Sequence, residues 1–266
     1  MPFTDVAVAL SAAQAGAAVA RARYGTDLVH HAKSADDFAT DADLDAERAI
    51  TRVITTARPN DGILGEEFGL TGPEGGRTWL IDPLCGTLNY AVQTPLVAVN
   101  VALRDMGSTS VAAVADPFSE ELFWTDGVTA YVRQDGRDEP LAPSARSRIV
   151  DLNLDAPPPD AHRIATVRML GTPSFSTTFR PRVMSTTLAL AWVAAGRRAA
   201  YVTEGDLRDS VHFASGIALC RAAGCVVTGL HGQPLHSGVG GLVAAADQET
   251  HASLTAIIEE LGELGT

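Results

Sequence analysis

Residues 79–90 read Trp79-Leu80-Ile81-Asp82-Pro83-Leu84-Cys85-Gly86-Thr87-Leu88-Asn89-Tyr90, and the rest of the chain takes its meaning from this stretch. It opens as an apolar strand, ends that strand on an acid, and then turns through Pro83 and Gly86. Gly86 lets the backbone come close to an anion, and the N–H groups of residues 86–88 would add donors if they begin a helix. The carboxylate of Asp82 offers oxygen, the donor that suits a hard divalent cation, whereas the thiol of Cys85 is soft. Cys85 is therefore either a ligand for zinc or a similar ion, or a small buried residue that fills space.

Outward from this loop, the composition is that of a folded soluble chain. Of 266 residues, 46% are hydrophobic and 20% charged, enough to bury one large core or two modest lobes. The formal net charge of −12 repels nucleic acid and anionic lipid, so neither is an expected partner, and any phosphate must be attracted locally. The segment from Val6 to Arg23 is Ala-rich and amphipathic and reads as a first helix, not a signal peptide. No apolar run approaches membrane-spanning length. Cys85, Cys220 and Cys225 form an odd set that argues for free thiols and a cytoplasmic location. Lys33 is the only lysine in the chain.

Hydrophobic spacing predicts helices over 5–22 and 44–57, with a polar loop from Lys33 to Asp43 between them. Short apolar runs at 62–65, 78–82, 97–103, 110–116 and 121–124 predict strands. Turn formers at Gly136–Pro143 and Ala156–Asp160 place a boundary between lobes 1–145 and 146–266. The second lobe reads as strands at 163–169, 199–203, 225–229 and 241–245 alternating with helices at 184–195 and about 211–223.

Several motifs occur in order along the chain. Asp82, Pro83, Leu84, Gly86, Thr87 and Asn89 resemble the Asp-Pro-(Ile/Leu)-Asp-Gly-Thr-x-Asn signature of the inositol monophosphatase family. Thr40, Asp43 and Glu47 resemble its first motif, and Gly65-Glu66-Glu67 its Gly-Glu-Glu loop. Val114 to Phe123 resembles its strand-turn-strand ending in Glu-Leu-Phe, and Arg182 to Tyr201 and Val211 to Gly216 resemble its later segments more loosely. The resemblance runs from about residue 5 to 247. It implies a mixed α/β fold (α+β layered), the αβαβα sandwich of two lobes. It also implies a metal-dependent phosphoric monoester hydrolase acting on a small phosphorylated sugar, cyclitol or nucleotide-like metabolite, with a homodimer as the expected assembly.

Carried over residue by residue, the resemblance gives a first magnesium ion held by Glu66, Asp82 and the carbonyl of Leu84. Thr87, hydrogen-bonded to Asp43, orients the attacking water, and Gly86, Thr87 and Leu88 receive the phosphate. The family's second ion lies among three aspartates, whose places here are Asp82, Cys85 and His212. Asp, Cys and His with a water form a credible tetrahedral zinc set. If a helix starts near Asp209, its positive end would keep His212 neutral, and Asp209, a candidate substrate-binding residue, is either a substitute carboxylate or that helix's N-cap. Beside the hydrolase, two readings stay open. One is a tailoring enzyme of secondary metabolism that eliminates or cyclises, with Cys85 and His212 as nucleophile, base or transition-metal ligands. The other is a non-catalytic binder of a phosphorylated ligand or protein. His30, His31, His162, His231, His236 and His251 read as surface or satisfied groups, and the acids of 36–45 apart from Asp43 as a solvated face.

Overall fold

A computed structural model describes residues 4–33, 38–73, 76–154, 165–238 and 240–263. Two compact units divide the chain. One comprises Met1–Pro140, Thr186–Leu188 and Ser210–Leu219, the other Leu141–Ser185, Ala189–Asp209 and Cys220–Thr266.

The first unit begins with α1 (Asp5–Arg23), the antiparallel hairpin β1 (His30–Ala32) and β2 (Phe38–Thr40), and α2 (Asp41–Ala57). Strands β3 (Gly62–Gly65), β4 (Gly69–Thr71) and β5 (Thr78–Cys85) follow, then the short α3 (Thr87–Ala91). After them come β6 (Ala98–Asp105), β7 (Ser108–Ala115), β8 (Leu122–Thr125), β9 (Ala130–Gln134) and β10 (Arg137–Pro140). The last eight strands form one sheet of order β10-β9-β8-β7-β6-β5-β3-β4, antiparallel except where β3 runs parallel to β5.

Strand alternation decides what each face meets. Trp79 and Ile81 of β5, with Val99, Val101 and Leu103 of β6, pack with α1 and α2 in one core. Gly16 of α1 leaves room for both α2 and β6, because a Cβ there would lie 2.8 Å from Ile50 Cδ1 and 2.9 Å from Val99 Cγ1. The opposite face, Leu80, Ala102 and Ala112, is covered by Val211, Ala214 and Ala218. That second packing brings the segment carrying His212 onto the face of Leu80 and Asp82.

The second unit contains β11 (Ile149–Leu152), α4 (Ala165–Leu170), α5 (Pro173–Thr178), β12 (Arg180–Val183), α6 (Leu188–Ala194), β13 (Ala200–Thr203), α7 (Ala214–Ala223), β14 (Val226–Thr228), β15 (Leu242–Ala245) and α8 (Gln248–Glu263), with α6 and α7 beginning in the first unit. Its sheet has the order β12-β11-β13-β15-β14, with β11 parallel to both neighbours. Met169, Phe175 and Phe179 share a core with Leu254, Ile257 and Ile258 of α8.

The mixed α/β class agrees with the sequence reading, and three local expectations need correction. The described part of 163–169 is the helix α4 and not a strand; residues 163 and 164 lie outside the described residues, as do 155–160 and His162. Its β-branched residues favour a strand locally. The Glu204 carboxylate, however, accepts from both the backbone N–H (3.3 Å) and the hydroxyl (2.7 Å) of Thr166 and so satisfies the start of a helix. The segment 33–43, read as a loop, contributes β2 and the first residues of α2, with residues 34–37 outside the described set. The helix expected from 211 starts only at Ala214. Among the described residues, no helix is long and apolar enough to cross a membrane.

Candidate active site

The site starts from an irregularity in β5. Asp82 pairs with Asn100 and Cys85 with Ala98, so three steps on β5 oppose two on β6, a β-bulge. Pro83 lies inside it, where a central strand can tolerate a missing N–H donor. Residues 82 and 85 would point to opposite faces of a regular strand, and the extra residue turns both to one side. The result is a group of Asp82, Cys85 and His212 whose ligand atoms all lie within 4.8 Å of one another.

Asp82 is fully buried. Its Oδ1 accepts from the Leu84 N–H at 3.1 Å, and its Oδ2 lies 2.8 Å from His212 Nδ1 and 3.4 Å from Asn100 Nδ2. Burial alone would raise the carboxyl, but the His212 imidazole overrides it and holds Asp82 below its usual value. Reciprocally, His212 gives up part of its hydration while its side chain stays 41% exposed, and Asp82, Cys85 and Glu66 hold its pKa well above the ordinary one. This corrects the expectation of an imidazole kept neutral by a helix start: His212 precedes α7 by two residues, and its neighbours are acids. Asp209 is likewise not the N-cap of α7; it belongs to the other unit and has φ 55°.

Cys85 is desolvated, and burial together with the Asp82 charge pushes its thiol up to about 11. The Thr187 N–H donates to its sulfur at 3.3 Å, and the Thr186 hydroxyl donates to its carbonyl at 3.2 Å. Asn100 ties these pieces together, donating from Nδ2 to Thr187 Oγ1 at 2.9 Å. Thr186, Thr187 and Asn100 were missed by the sequence reading. Only Asn100 left a trace, as a polar residue within the apolar run of β6.

Glu66 stands just past the end of β3, where its N–H donates to Ile81 O at 3.1 Å. Its Oε1 accepts from Lys33 Nζ at 2.8 Å, and its Oε2 is 4.0 Å from His212 Nδ1. Burial and the Asp82 charge push Glu66 up to about 8 against the opposing pull of His212 and Lys33. Glu67 accepts from the same Nζ at 2.8 Å. Beneath them Glu47, almost fully buried, receives the N–H groups of Glu67 (2.8 Å) and Phe68 (3.1 Å) and so fixes the loop. Gly65 makes room for this, because a Cβ there would sit 1.8 Å from Glu47 Oε1.

Asp43 and Thr87 form the third corner. Asp43 Oδ2 accepts from the Thr40 N–H (2.7 Å) and hydroxyl (2.6 Å), the capping box of α2. Thr87 Oγ1 lies 3.0 Å from Asp43 Oδ1 and 3.2 Å from Leu84 O. A hydroxyl has one proton, so donating it to Asp43 leaves lone pairs that accept from a third partner. Burial raises Asp43 even though Thr40 and Thr87 donate to it. Gly86, with φ 107°, is the N-cap of α3 and makes no side-chain cap, and Leu88 is 64% exposed beside it. Any side chain at Gly86 would be strained.

Glu66 and Asp82 offer oxygen, the donor that a hard divalent ion prefers, and the ammonium and imidazole already drawn to the two acids mark the place as one that accepts positive charge. Asp82, Cys85 and His212 offer one oxygen, one sulfur and one nitrogen; tetrahedral zinc with these ligands spaces them by about 3.5 Å, inside the observed 4.8 Å limit.

Residues 2–263 match the Inositol monophosphatase family. The chain is 32% identical to the inositol-1-monophosphatase of Caulobacter vibrioides over 248 residues, covering 86% of this chain and 90% of that one. It is 33% identical to the Nus factor SuhB of Escherichia coli over 267 residues, 98% of each. The crystal structure of the extragenic suppressor protein suhB from Bartonella henselae superposes with a TM-score of 0.83 at 25% identity, over 95% of this chain and 97% of that one. With the motif order, the fold and the clustered acids in agreement, the chain belongs to the inositol monophosphatase family and is an enzyme of the divalent-metal-dependent phosphoric monoester hydrolase kind.

Proposed function

We propose that the protein hydrolyses the phosphate monoester of a small metabolite, a sugar, a cyclitol or a nucleotide-like molecule. In this reading magnesium sits at Glu66, Asp82 and the Leu84 carbonyl, and zinc or another transition-metal ion at Asp82, Cys85 and His212. The observation that carries it is the meeting of Asp82, Cys85 and His212 within 4.8 Å, next to a Thr87–Asp43 pair at 3.0 Å. When bound, such ions neutralise phosphate oxygens and lower the pKa of the attacking water.

The chain's own residues do the rest. Thr87, its proton committed to Asp43, accepts from the water and aims it. Asp43, raised by burial, is poised to share that proton. Gly86 lets the backbone approach the phosphate, while Leu88, exposed beside it, contributes its N–H and a side chain at the rim. Free thiols at Cys85, Cys220 and Cys225 agree with a cytoplasmic enzyme, and homodimer formation is part of the same reading.

The non-hydrolytic alternative draws on the same Cys85 and His212, as nucleophile and base in an elimination or cyclisation. A non-catalytic, partner-binding role draws on a relative named as a Nus factor. Phosphate release from a substrate panel with Mg²⁺, Mn²⁺ and Zn²⁺ separates them. Turnover with any ion supports the hydrolase; tight zinc binding with no release supports the alternative; no metal binding supports the binder. Restoring acids through Cys85→Asp with His212→Asp should give Mg²⁺-dependent hydrolysis of a generic monoester, and a variant that binds Mg²⁺ without hydrolysis would refute the assignment of the remaining residues.

A further inference from the structure

Cys220 and Cys225 have no task in the hydrolase reading, and the end of α7 brings them together. Gly224 follows the helix with φ 91°. Its N–H donates to Arg221 O at 3.1 Å, and the Cys225 N–H donates to Cys220 O at 2.9 Å. Nested bonds of this kind close a helix on a left-handed glycine, and the side chains of the two residues joined by the outer bond meet across the turn. Those two side chains are thiols here. A hydrogen bond between the backbones of two residues keeps their Cα atoms about 6 Å apart, within the span of a disulfide. Both cysteines are free and belong to the second unit. Cys220 has no exposed surface and Cys225 keeps 9%. The Cys220 thiol donates to Leu190 O of α6 at 3.3 Å. Its neighbour Cys225, ahead of burial, pushes it well above its ordinary pKa, so it keeps its proton at neutral pH.

We propose that Cys220 and Cys225 form a reversible redox staple: hydrogen peroxide joins them in a disulfide that ties the end of α7 to the start of β14. Cys225, the sulfur that solvent reaches, attacks a peroxide oxygen. Its S–O bond forms as the O–O bond breaks, and the departing hydroxide takes the thiol proton and leaves as water. The Cys220 sulfur then attacks the Cys225 sulfur. The S–S bond forms, the S–O bond breaks, and the second hydroxide leaves as water with the Cys220 proton. Together the two thiols give up two electrons and two protons, and the peroxide is reduced to two waters. Loss of the Cys220 proton also ends its bond to Leu190 O. The staple therefore fastens α7 to β14 and loosens it from α6. None of this depends on the hydrolase reading.

The sequence supplies its own assay. Arg221 lies between the two cysteines and no Arg or Lys follows it, so trypsin leaves Cys220 and Cys225 on separate peptides that a disulfide alone joins. Folded, reduced protein is treated with hydrogen peroxide, alkylated with iodoacetamide, digested and weighed. Wild type should give the joined pair, about 2 Da lighter than the two thiol peptides together, and a dithiol reductant should split it. Oxidation should raise the urea midpoint by about 0.5 M, and reduction should reverse the rise. The Cys220→Ala and Cys225→Ala variants should show neither the joined peptides nor the rise, and the wild-type peptide map decides even where a variant fails to fold. Thiols that stay separate in the folded protein but join once urea unfolds it overturn the proposal. So do a disulfide made to Cys85 instead and an oxidised midpoint no higher than the reduced one.

Discussion

Asp82 and Asp151 are both carboxylates with no side-chain exposure, each on an interior strand of its sheet, yet their surroundings make opposite use of burial. Asp82 faces an imidazole at 2.8 Å and donors from Leu84 and Asn100, and is held below its usual pKa. Asp151 in β11 meets Arg198 Nε at 2.8 Å through Oδ2, while its Oδ1 has no hydrogen-bond partner. Burial outweighs the Arg198 and Arg182 charges and pushes Asp151 up to about 6. A buried acid stays ionised when it is surrounded on both oxygens and drifts toward its protonated form when it is answered on one. The first arrangement keeps a charge available for a cation; the second fastens an arginine to a sheet.

The largest expected effect separates these two roles. Asp82→Asn should abolish divalent binding and lower kcat by more than about 1,000-fold, while Asp151→Asn leaves calorimetric metal binding as it was. If metal-dependent turnover survives Asp82→Asn, the contrast fails. Next comes the pH dependence of stability. The folded pKa of Asp151 lies above that of the unfolded chain, so its favourable contribution is complete below about pH 4 and is lost as pH rises through about 6. The full loss is about 3 kcal/mol, and urea titrations between pH 4 and 7 should show wild type losing this much relative to Asp151→Asn; parallel profiles would disprove it.

Thr87→Val should cost about 100-fold in kcat through a misplaced water, with metal affinity unchanged because the acids remain. A matching loss of Mn²⁺ affinity would show instead that Thr87 supports the ion. The smallest effect is structural. Gly65→Ala drives a methyl group to 1.8 Å from Glu47 Oε1 and should destabilise the fold by about 2 kcal/mol, read as a lowered urea midpoint. A midpoint equal to wild type would mean that Glu47 moves aside at no cost.

Much of this was legible in the sequence because chemistry and local structure coincide within short stretches. Thr40 and Asp43 are at once a motif and a capping box; Glu66 follows a strand; Asp82 to Thr87 is a strand end, a glycine and a helix start. What stayed hidden depends on distant segments. The Thr187 N–H reaches Cys85 across 102 residues of chain, and no local pattern encodes that contact; the meeting of His212 with Asp82 across 130 residues was legible through the family resemblance alone. The helix start assumed for His212 failed for a similar reason: residues 211–213 pack by turn and tertiary contact before α7 begins. In α4, the carboxylate of Glu204 outweighed a β-leaning composition.

The extra residue at Pro83 separates what the loop is from what it carries. Because it sets which way Leu84 and Cys85, the last residues of the strand, point, deleting one residue there would turn both to the other face, while exchanging the side chain at 85 leaves them aligned. Length is the fixed quantity and identity the free one. The chemistry at position 85 can therefore change from acid to thiol or back by exchanging a single residue, without rebuilding the scaffold that presents it.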